Sequence, residues 1–128
     1  MSGIEVVRES DLEKGDSANG IVRRRAFDSE NTIVSQSRVA AGVVSGWHHH
    51  GARHLFGFVV NGQLLLESAM ISTGGVDLDS GDFFHIPARL VHRDLNPDKT
   101  HDLVVVNVLV GQGPSVVNVR GPSDGEII

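Results

Sequence analysis

Five of the seven histidines fall in two short segments of the sequence. His48, His49, His50 and His54 lie within seven positions, and His92 follows in a separate segment. In an extended strand, side chains at i and i+2 point to the same face, so His48 and His50 can reach one ion while His49 points away. A neighbouring strand that carries His92 would close the site. This spacing permits a metal site with His48, His50 and His92 as ligands.

The type of ligand restricts the ion that such a site could hold. Imidazole binds metals in its neutral form, so we expect metal occupancy to fall below about pH 6. Imidazoles without a carboxylate suit iron, zinc, nickel or copper better than magnesium or calcium. The sequence has no cysteine, which excludes thiolate metal sites and cysteine nucleophiles. A short H-x-H motif also occurs by chance, and taken alone it favours the competing interpretation of an exposed polar turn over 48–50 and a hydrogen-bonded core histidine at His92.

The segments that carry these histidines are predicted to be β-strands. Fifteen glycines and four prolines divide the valine-rich sequence into short pieces, and no long window has helical apolar spacing. Asn61-Gly62 between apolar runs predicts a two-residue hairpin, because both residues tolerate the positive φ of a type I′ turn. About ten short strands without crossover helices predict an antiparallel sandwich or barrel. The candidate strands are Ile4–Val7, Ile21–Phe27, Thr32–Ala41, His54–Val60, Gln63–Ser68, Gly75–Leu78, Asp82–Ile86, Val91–Leu95, Asp102–Val110 and Ser115–Val119.

The length of 128 residues predicts a single domain. We expect an N-terminal arm over 1–20 with a loop at Asp11–Asn19, a barrel over 21–120 and a C-terminal tail over 121–128. A net charge of −5 lacks the basic surface that nucleic-acid binding needs, and no apolar run suits a signal peptide or a membrane span. We therefore expect a cytoplasmic protein without nucleic-acid or membrane partners. The basic run Arg23–Arg25 is expected to be a solvated strand edge or a subunit contact.

Two motifs of fixed spacing frame the histidines. They read Gly42-x5-His48-x-His50, followed by Gly62, and Gly81-x5-Pro87-x-Arg89-x2-His92-x3-Asn96. They resemble the two motifs of the cupin superfamily, G-x5-H-x-H-x(3,4)-E-x6-G and G-x5-P-x-G-x2-H-x3-N. This resemblance spans residues 42–96 and implies an all-β fold, an antiparallel double-sheet jelly-roll β-barrel that holds one metal ion.

The first motif lacks the glutamate that usually supplies a fourth ligand in cupins. Counting back from Gly62 places Leu55 at that position, whereas counting four residues on from His50 places His54 there. One extra residue in the strand would reconcile the two counts, and Gly57 is the candidate for such a bulge. The metal would then have four imidazoles, His54 included. Without the fourth ligand, the site has three histidines and His54 lies at its rim.

The second motif carries Arg89 where cupins have glycine. Such a glycine usually supplies a positive φ, so the turn before His92 is expected to be built differently. The Arg89 side chain is then either a surface group or an anion anchor at the mouth of the barrel.

The resemblance also implies an activity. Cupins with three histidines include enzymes that cleave diketones or oxidise thiols with iron and dioxygen. The leading expectation is therefore a metal-dependent dioxygenase for a small organic substrate, with iron as the first candidate and zinc, nickel, manganese or copper as the others. The alternatives are a non-catalytic module that binds or senses a small molecule, and a metal-dependent isomerase or lyase. Because cupin barrels commonly pair through their sheets, a homodimer is expected.

The barrel interior is expected to be an apolar pocket for a small ligand that chelates the ion. Ordinary core packing is the competing interpretation for its large apolar side chains. Arg38 would reach a substrate only if strand alternation turns it inward, and His85 could face inward near the metal. The candidate pocket residues are Arg38, Trp47, Phe56, Phe58, Met70, Phe84 and His85.

Overall fold

A computed structural model of the chain describes residues 3–69 and 75–122. No helix in these ranges is both long enough and apolar enough to span a membrane. The regular elements are a short 3₁₀ helix at Glu9–Asp11 and the strands β1 (Glu13–Lys14), β2 (Ile21–Asp28), β3 (Thr32–Val39), β4 (His48–His49), β5 (His54–Asn61), β6 (Gln63–Ser68), β7 (Val76–Asp79), β8 (Phe83–Ile86), β9 (His92–Leu95), β10 (Leu103–Val110) and β11 (Val117–Asn118).

The strands form two antiparallel sheets. One has the order β1-β2-β3-β10-β5-β8, and the other has the order β11-β4-β9-β6-β7. The buried core takes side chains from both sheets, such as Ile33 and Val59 from the first and Leu64 and Leu78 from the second. The predicted all-β, antiparallel double-sheet architecture is therefore confirmed.

Strand alternation decides which side chains reach the interior. On β5, Leu55, Gly57 and Val59 are buried, whereas His54 and Phe56 are exposed. Successive side chains of a strand point to opposite faces, so this pattern fixes the direction of every residue from 54 to 59. The inward position near the start of β5 belongs to Leu55.

The hairpin predicted at Asn61-Gly62 is wrong, because β5 and β6 belong to different sheets. Gly62 has a φ of 97°, but Asn61 does not have the positive φ that a type I′ turn requires of both residues. A Cβ on Gly62 would lie 2.9 Å from the carbonyl oxygen of Asp102. Glycine therefore serves here to let the chain pass closely under another strand as it changes sheets.

The N-terminal segment differs from the prediction in two ways. The predicted strand Ile4–Val7 lies outside any regular element, and Ile4 is 96% exposed. Part of the predicted loop Asp11–Asn19 instead forms β1, which pairs with β2, and the Gly15 amide donates to the Arg23 carbonyl at 2.8 Å. The open edge of β2 accepts this short strand because its backbone groups would otherwise lack partners.

Asn96 ties the loops beside the histidine strands together. Asn96 is only 2% exposed. Its side-chain Nδ2 donates to the carbonyls of Val39 at 3.1 Å and His101 at 2.8 Å. Its Oδ1 accepts from the Asp98 amide at 3.1 Å. Asn96, the last residue of the second motif, therefore has a structural role, since it forms hydrogen bonds with backbone groups that would otherwise lack partners.

Candidate metal centre

Three histidine rings meet in the interior of the barrel. His48 on β4 pairs directly with His92 at the start of β9, and His50 follows His48 by two residues. The three side chains are buried, at 2%, 5% and 2% exposure for His48, His50 and His92. The ring centroids lie 5.3 Å apart for His48 and His50, 4.4 Å for His48 and His92, and 5.0 Å for His50 and His92. The structure therefore brings together the three histidines singled out from the sequence.

The backbone fixes the proton position on each ring. Each Nδ1 lies against a carbonyl oxygen: His48 against Gly46 at 2.8 Å, His50 against Ser115 at 2.7 Å, and His92 against Leu90 at 3.0 Å. A carbonyl can only accept a hydrogen bond, so Nδ1 carries the proton in every case. The lone pair of each neutral ring is then on Nε2.

The three Nε2 atoms are buried and have no hydrogen-bond partner among the residues that the structure describes. These ligand atoms all lie within 4.8 Å of one another. One buried polar atom without a partner costs about 1–3 kcal/mol, so three such atoms facing each other require an explanation. A single transition-metal ion would satisfy all three lone pairs, and the outer hydrogen bonds are those that orient metal-binding imidazoles.

Burial favours the neutral form of two of these rings, His50 and His92. It lowers the pKa of His50 to about 3, and the neighbouring His92 acts in the same direction. Burial also lowers the pKa of His92, although Asp94 opposes the change. Protons therefore compete for the metal-free site at a lower pH than the value near 6 expected for ordinary histidines.

A carboxylate lies beside two of the three histidines as well. Asp94 follows His92 by two residues on β9, so the two side chains share a face. Asp94 Oδ1 lies 3.8 Å from His92 Nε2, and Asp94 Oδ2 lies 3.8 Å from His48 Nε2. Burial acts to raise the pKa of Asp94, but His92, His48 and Arg23 outweigh it and hold the pKa below its usual range. Sequence reasoning missed this residue, although its spacing from His92 was a usable signal.

The histidines form part of the wall of a 330 Å³ cavity. Apolar side chains such as Leu55 and Leu103 share this wall with charged and polar ones, among them Asp16, Ser35 and Asn107. The cavity wall therefore combines apolar and polar side chains, where an apolar pocket was expected. Residues around β1, which were assigned to the arm, also contribute to the wall.

Two arginines of β2 point toward this cavity. Ile21 is buried, and alternation along the strand places Arg23 and Arg25 on the same inner side, where both line the cavity. Arg23 Nη1 donates to the Asp16 carbonyl at 3.3 Å. Arg25 Nη1 pairs with Asp28 at 3.0 Å, and its buried Nε has no partner among the described residues. The two side chains therefore line the cavity, although the Arg25 side chain also remains 41% exposed where it meets Asp28.

Of the seven predicted pocket residues, Phe84 lines the cavity. Its ring packs over Gly57, where any Cβ would collide with it. Gly57 thus provides space for a ring and is not a bulge. The register shift between β5 and β10 lies next to Val60, because Val104 pairs with Asn61 and Val105 pairs with Val59.

Five other predicted pocket residues do not line the cavity, and the remaining one, Met70, lies outside the described residues. Arg38 pairs with Asp102 at 3.4 Å on the surface, and the Arg93 guanidinium lies 4.6 Å from the ring of Trp47. Phe58 packs against Phe83 at 4.6 Å, and Phe56 stacks on His85 at 4.6 Å. Phe56 and His85 are exposed, since alternation turns them to the outer face.

His54 lies apart from the three buried histidines, which corrects its prediction as a fourth ligand. Its side chain is exposed, and its Nδ1 lies 2.9 Å from His85 Nε2. An extra residue does exist at Val60, but the pairing from His54 to Val59 is regular. The inward position therefore belongs to Leu55, which has no ligand atom.

The turn before His92 also corrects an expectation. Arg89 has a φ of 64°, so it adopts the left-handed conformation that glycine would supply. Its amide donates to the Gly51 carbonyl at 2.9 Å, which joins this turn to the one after His50. The Arg89 side chain is exposed and does not line the cavity, so it is not an anion anchor there.

Comparison with known proteins finds similarity in structure alone. No family model matches the sequence, and no curated protein sequence matches it. An RmlC-like cupin from Shewanella frigidimarina superposes with a TM-score of 0.70 at 15% identity, covering 86% of this chain and 93% of that one. The polyketide cyclase RemF from Streptomyces resistomycificus gives 0.75 at 16% identity, covering 96% and 90%. An oxalate oxidase gives 0.64 at 22% identity, covering 84% and 60%. At these identities the similarity establishes the fold, and the named activities are those of the other proteins.

Proposed function

Because this chain has the cupin fold, we propose that it binds one divalent transition-metal ion through His48, His50 and His92 and acts on a small organic anion beside it. The convergence of three buried Nε2 atoms, each on a ring whose Nδ1 is already bonded, carries this proposal. A core histidine without a ligand role would use both ring nitrogens in hydrogen bonds.

An iron-dependent dioxygenase is the leading activity. Three protein ligands leave positions on an ion open to substrate and oxygen, and bound iron would supply the redox chemistry. The protein supplies a buried site whose imidazoles keep a fixed orientation, and a cavity wall that positions the substrate next to them.

The cavity wall carries the cations of Lys14, Arg23 and Arg25 against the carboxylates of Asp16 and Asp94, and together with a bound divalent ion this balance favours an anionic substrate. Arg23 and Arg25 line the cavity, and the buried Nε of Arg25 has no partner within the described part of the chain. Guanidinium groups bind carboxylates through paired hydrogen bonds, and the metal would attract the same anion. The volume of 330 Å³ is near the lower end of ligand pockets, which span about 300–1,000 Å³. A small carboxylic acid fits this combination, and the similar fold of an oxalate oxidase is consistent with it.

Metal analysis tests the first half of the proposal. The protein is purified without a nickel resin, and its metal content is measured by mass spectrometry for the wild type, His48→Ala, His92→Ala and the exposed control His101→Ala. We expect about one transition metal per chain in the wild type and in the control, and loss of metal in the other two variants. A wild type that neither retains nor takes up any transition metal would contradict the proposal.

Oxygen uptake tests the second half. The protein is loaded anaerobically with Fe²⁺ and assayed with small carboxylic acids, diketones and thiols. Substrate-dependent oxygen uptake that His48→Ala abolishes would support the dioxygenase. Turnover without oxygen uptake would favour the metal-dependent isomerase or lyase, and tight ligand binding that survives His48→Ala and His92→Ala would favour the binding module.

The homodimer and the cytoplasmic location stay predictions. The homodimer rests on the resemblance to cupins, whose barrels commonly pair through their sheets. Light scattering of the purified protein would give its oligomeric state.

A further inference from the structure

We infer that Asp94 is a fourth ligand of the metal ion and supplies, from β9, the carboxylate that cupins usually take from the first motif. This inference rests on the proposed function, because it requires that the three histidines bind an ion. It also changes the character of the site, which the sequence had indicated to be made of imidazoles alone.

The distances suit a shared ion better than a hydrogen bond. The two oxygens of Asp94 lie 3.8 Å from His48 Nε2 and 3.8 Å from His92 Nε2, beyond hydrogen-bond range. Bonds from a metal to nitrogen or oxygen are about 2.0–2.2 Å long, so two ligand atoms of one ion lie no more than roughly 4.2 Å apart. The carboxylate therefore lies on the His48 and His92 side of the site, at a distance that an ion between it and those two rings would span, and it lies farther from His50.

The backbone holds Asp94 in this position. Its amide donates to Ser45 Oγ at 2.9 Å, and its carbonyl accepts from the Ser45 amide at 2.8 Å. Ser45 is 8% exposed, so these bonds anchor β9 from a buried neighbour. The Asp94 side chain itself is 24% exposed, and both of its ion-pair contacts within residues 3–69 and 75–122 are with His48 and His92. The carboxylate is thus placed against the ligand nitrogens.

A carboxylate among the ligands changes which ions the site prefers. It offsets one of the two positive charges of the ion, and its hard oxygen suits Mn²⁺ and Fe²⁺ more than three imidazoles would. Four protein ligands on a six-coordinate ion leave two positions for substrate and oxygen. Leu55 cannot contribute here, since the inward position on β5 that could have carried the family glutamate is apolar.

The test compares Asp94→Asn with Asp77→Asn, which makes the same charge change at an exposed position on β7. Binding of Mn²⁺ and of Zn²⁺ to the metal-free proteins is measured by calorimetry. We expect Asp94→Asn to weaken Mn²⁺ binding by at least about 10-fold. Removal of a residue that only hydrogen-bonds to a metal ligand already causes a loss of this size. The loss for Zn²⁺ should be smaller, because imidazole suits zinc well. Asp77→Asn should bind both ions like the wild type.

The other outcomes overturn the inference in distinguishable ways. Unchanged Mn²⁺ affinity in Asp94→Asn, or an equal loss for both ions, would show that the carboxylate acts at most through its charge. A wild type that binds neither ion would overturn the proposed function together with this inference. Circular dichroism of metal-free Asp94→Asn checks that it folds. The visible spectrum of bound Co²⁺ gives a second readout, since it should change with loss of a ligand in Asp94→Asn and not in Asp77→Asn.

Discussion

The metal-free protein should lose stability as the pH falls from 7 to 5. The part of this loss that His50 causes can be calculated from its two pKa values. Burial lowers the pKa of His50 to about 3 in the folded protein, from 6.5 for an unperturbed histidine. Between these values the unfolded chain takes up a proton that the folded chain does not. The unfolded state therefore binds more protons, and the free energy of unfolding falls with the pH. The stabilisation from a neutral His50 is complete above pH 6.5 and is lost as the pH falls toward about 3.

The two pKa values give the size of the effect. For one group with these values, the free energy of unfolding falls by about 2 kcal/mol between pH 7 and pH 5. The lowered pKa of His92 adds to the loss in the same direction. The variant His50→Gln removes the titrating group and should show a fall that is about 2 kcal/mol smaller than that of the wild type over this range.

Urea unfolding after treatment with a chelator measures this difference. Trp47, the single tryptophan, provides the fluorescence signal at pH 7, 6 and 5. His101→Gln, in which a side chain 75% exposed is replaced, should keep the wild-type pH dependence. An equal fall in stability for His50→Gln and the wild type would refute the conclusion that burial holds His50 neutral.

Three further substitutions test other features of the site. Arg25→Gln should weaken the binding of oxalate to the metal-loaded protein by about 10-fold or more, because a hydrogen bond to a charged group contributes about that much affinity. Arg24→Gln should not weaken it, and calorimetry measures both. Arg89→Gly should raise the free energy of unfolding by about 1 kcal/mol, because glycine adopts the left-handed conformation without strain. Arg89→Ala keeps the Cβ and should not raise the stability. A thermal melt compares the two variants. Gly57→Ala should cost about 1–3 kcal/mol of stability by displacing the aromatic ring packed over it. Gly46→Ala has nothing within 4 Å of its Cβ and should cost less in the same urea experiment.

Much of the strand pattern could be predicted from the sequence, because short valine-rich runs between glycines and prolines have few other ways to fold. The spans of β2, β5, β6 and β10 differ from their predictions by no more than one residue at either end. The failures occurred where a local pattern has two tertiary outcomes. Asn61-Gly62 suits a hairpin, yet it lies where the chain leaves one sheet for the other. The turn at Arg89 keeps its positive φ because the Gly51 carbonyl holds its amide, and that contact comes from a distant segment.

The sequence by itself determined the ligand types and the i, i+2 spacing of His48 and His50, because strand alternation is a property of the backbone. The pairing of β4 with β9 decided that His92 joins them, and the register of β5 decided that Leu55 faces inward in place of His54. Only the tertiary structure placed the Asp94 carboxylate and the Arg23 and Arg25 side chains around the same cavity. A strand shows its period in the sequence, but which of its two faces is buried depends on the register of pairing and on the packing of one sheet against the other.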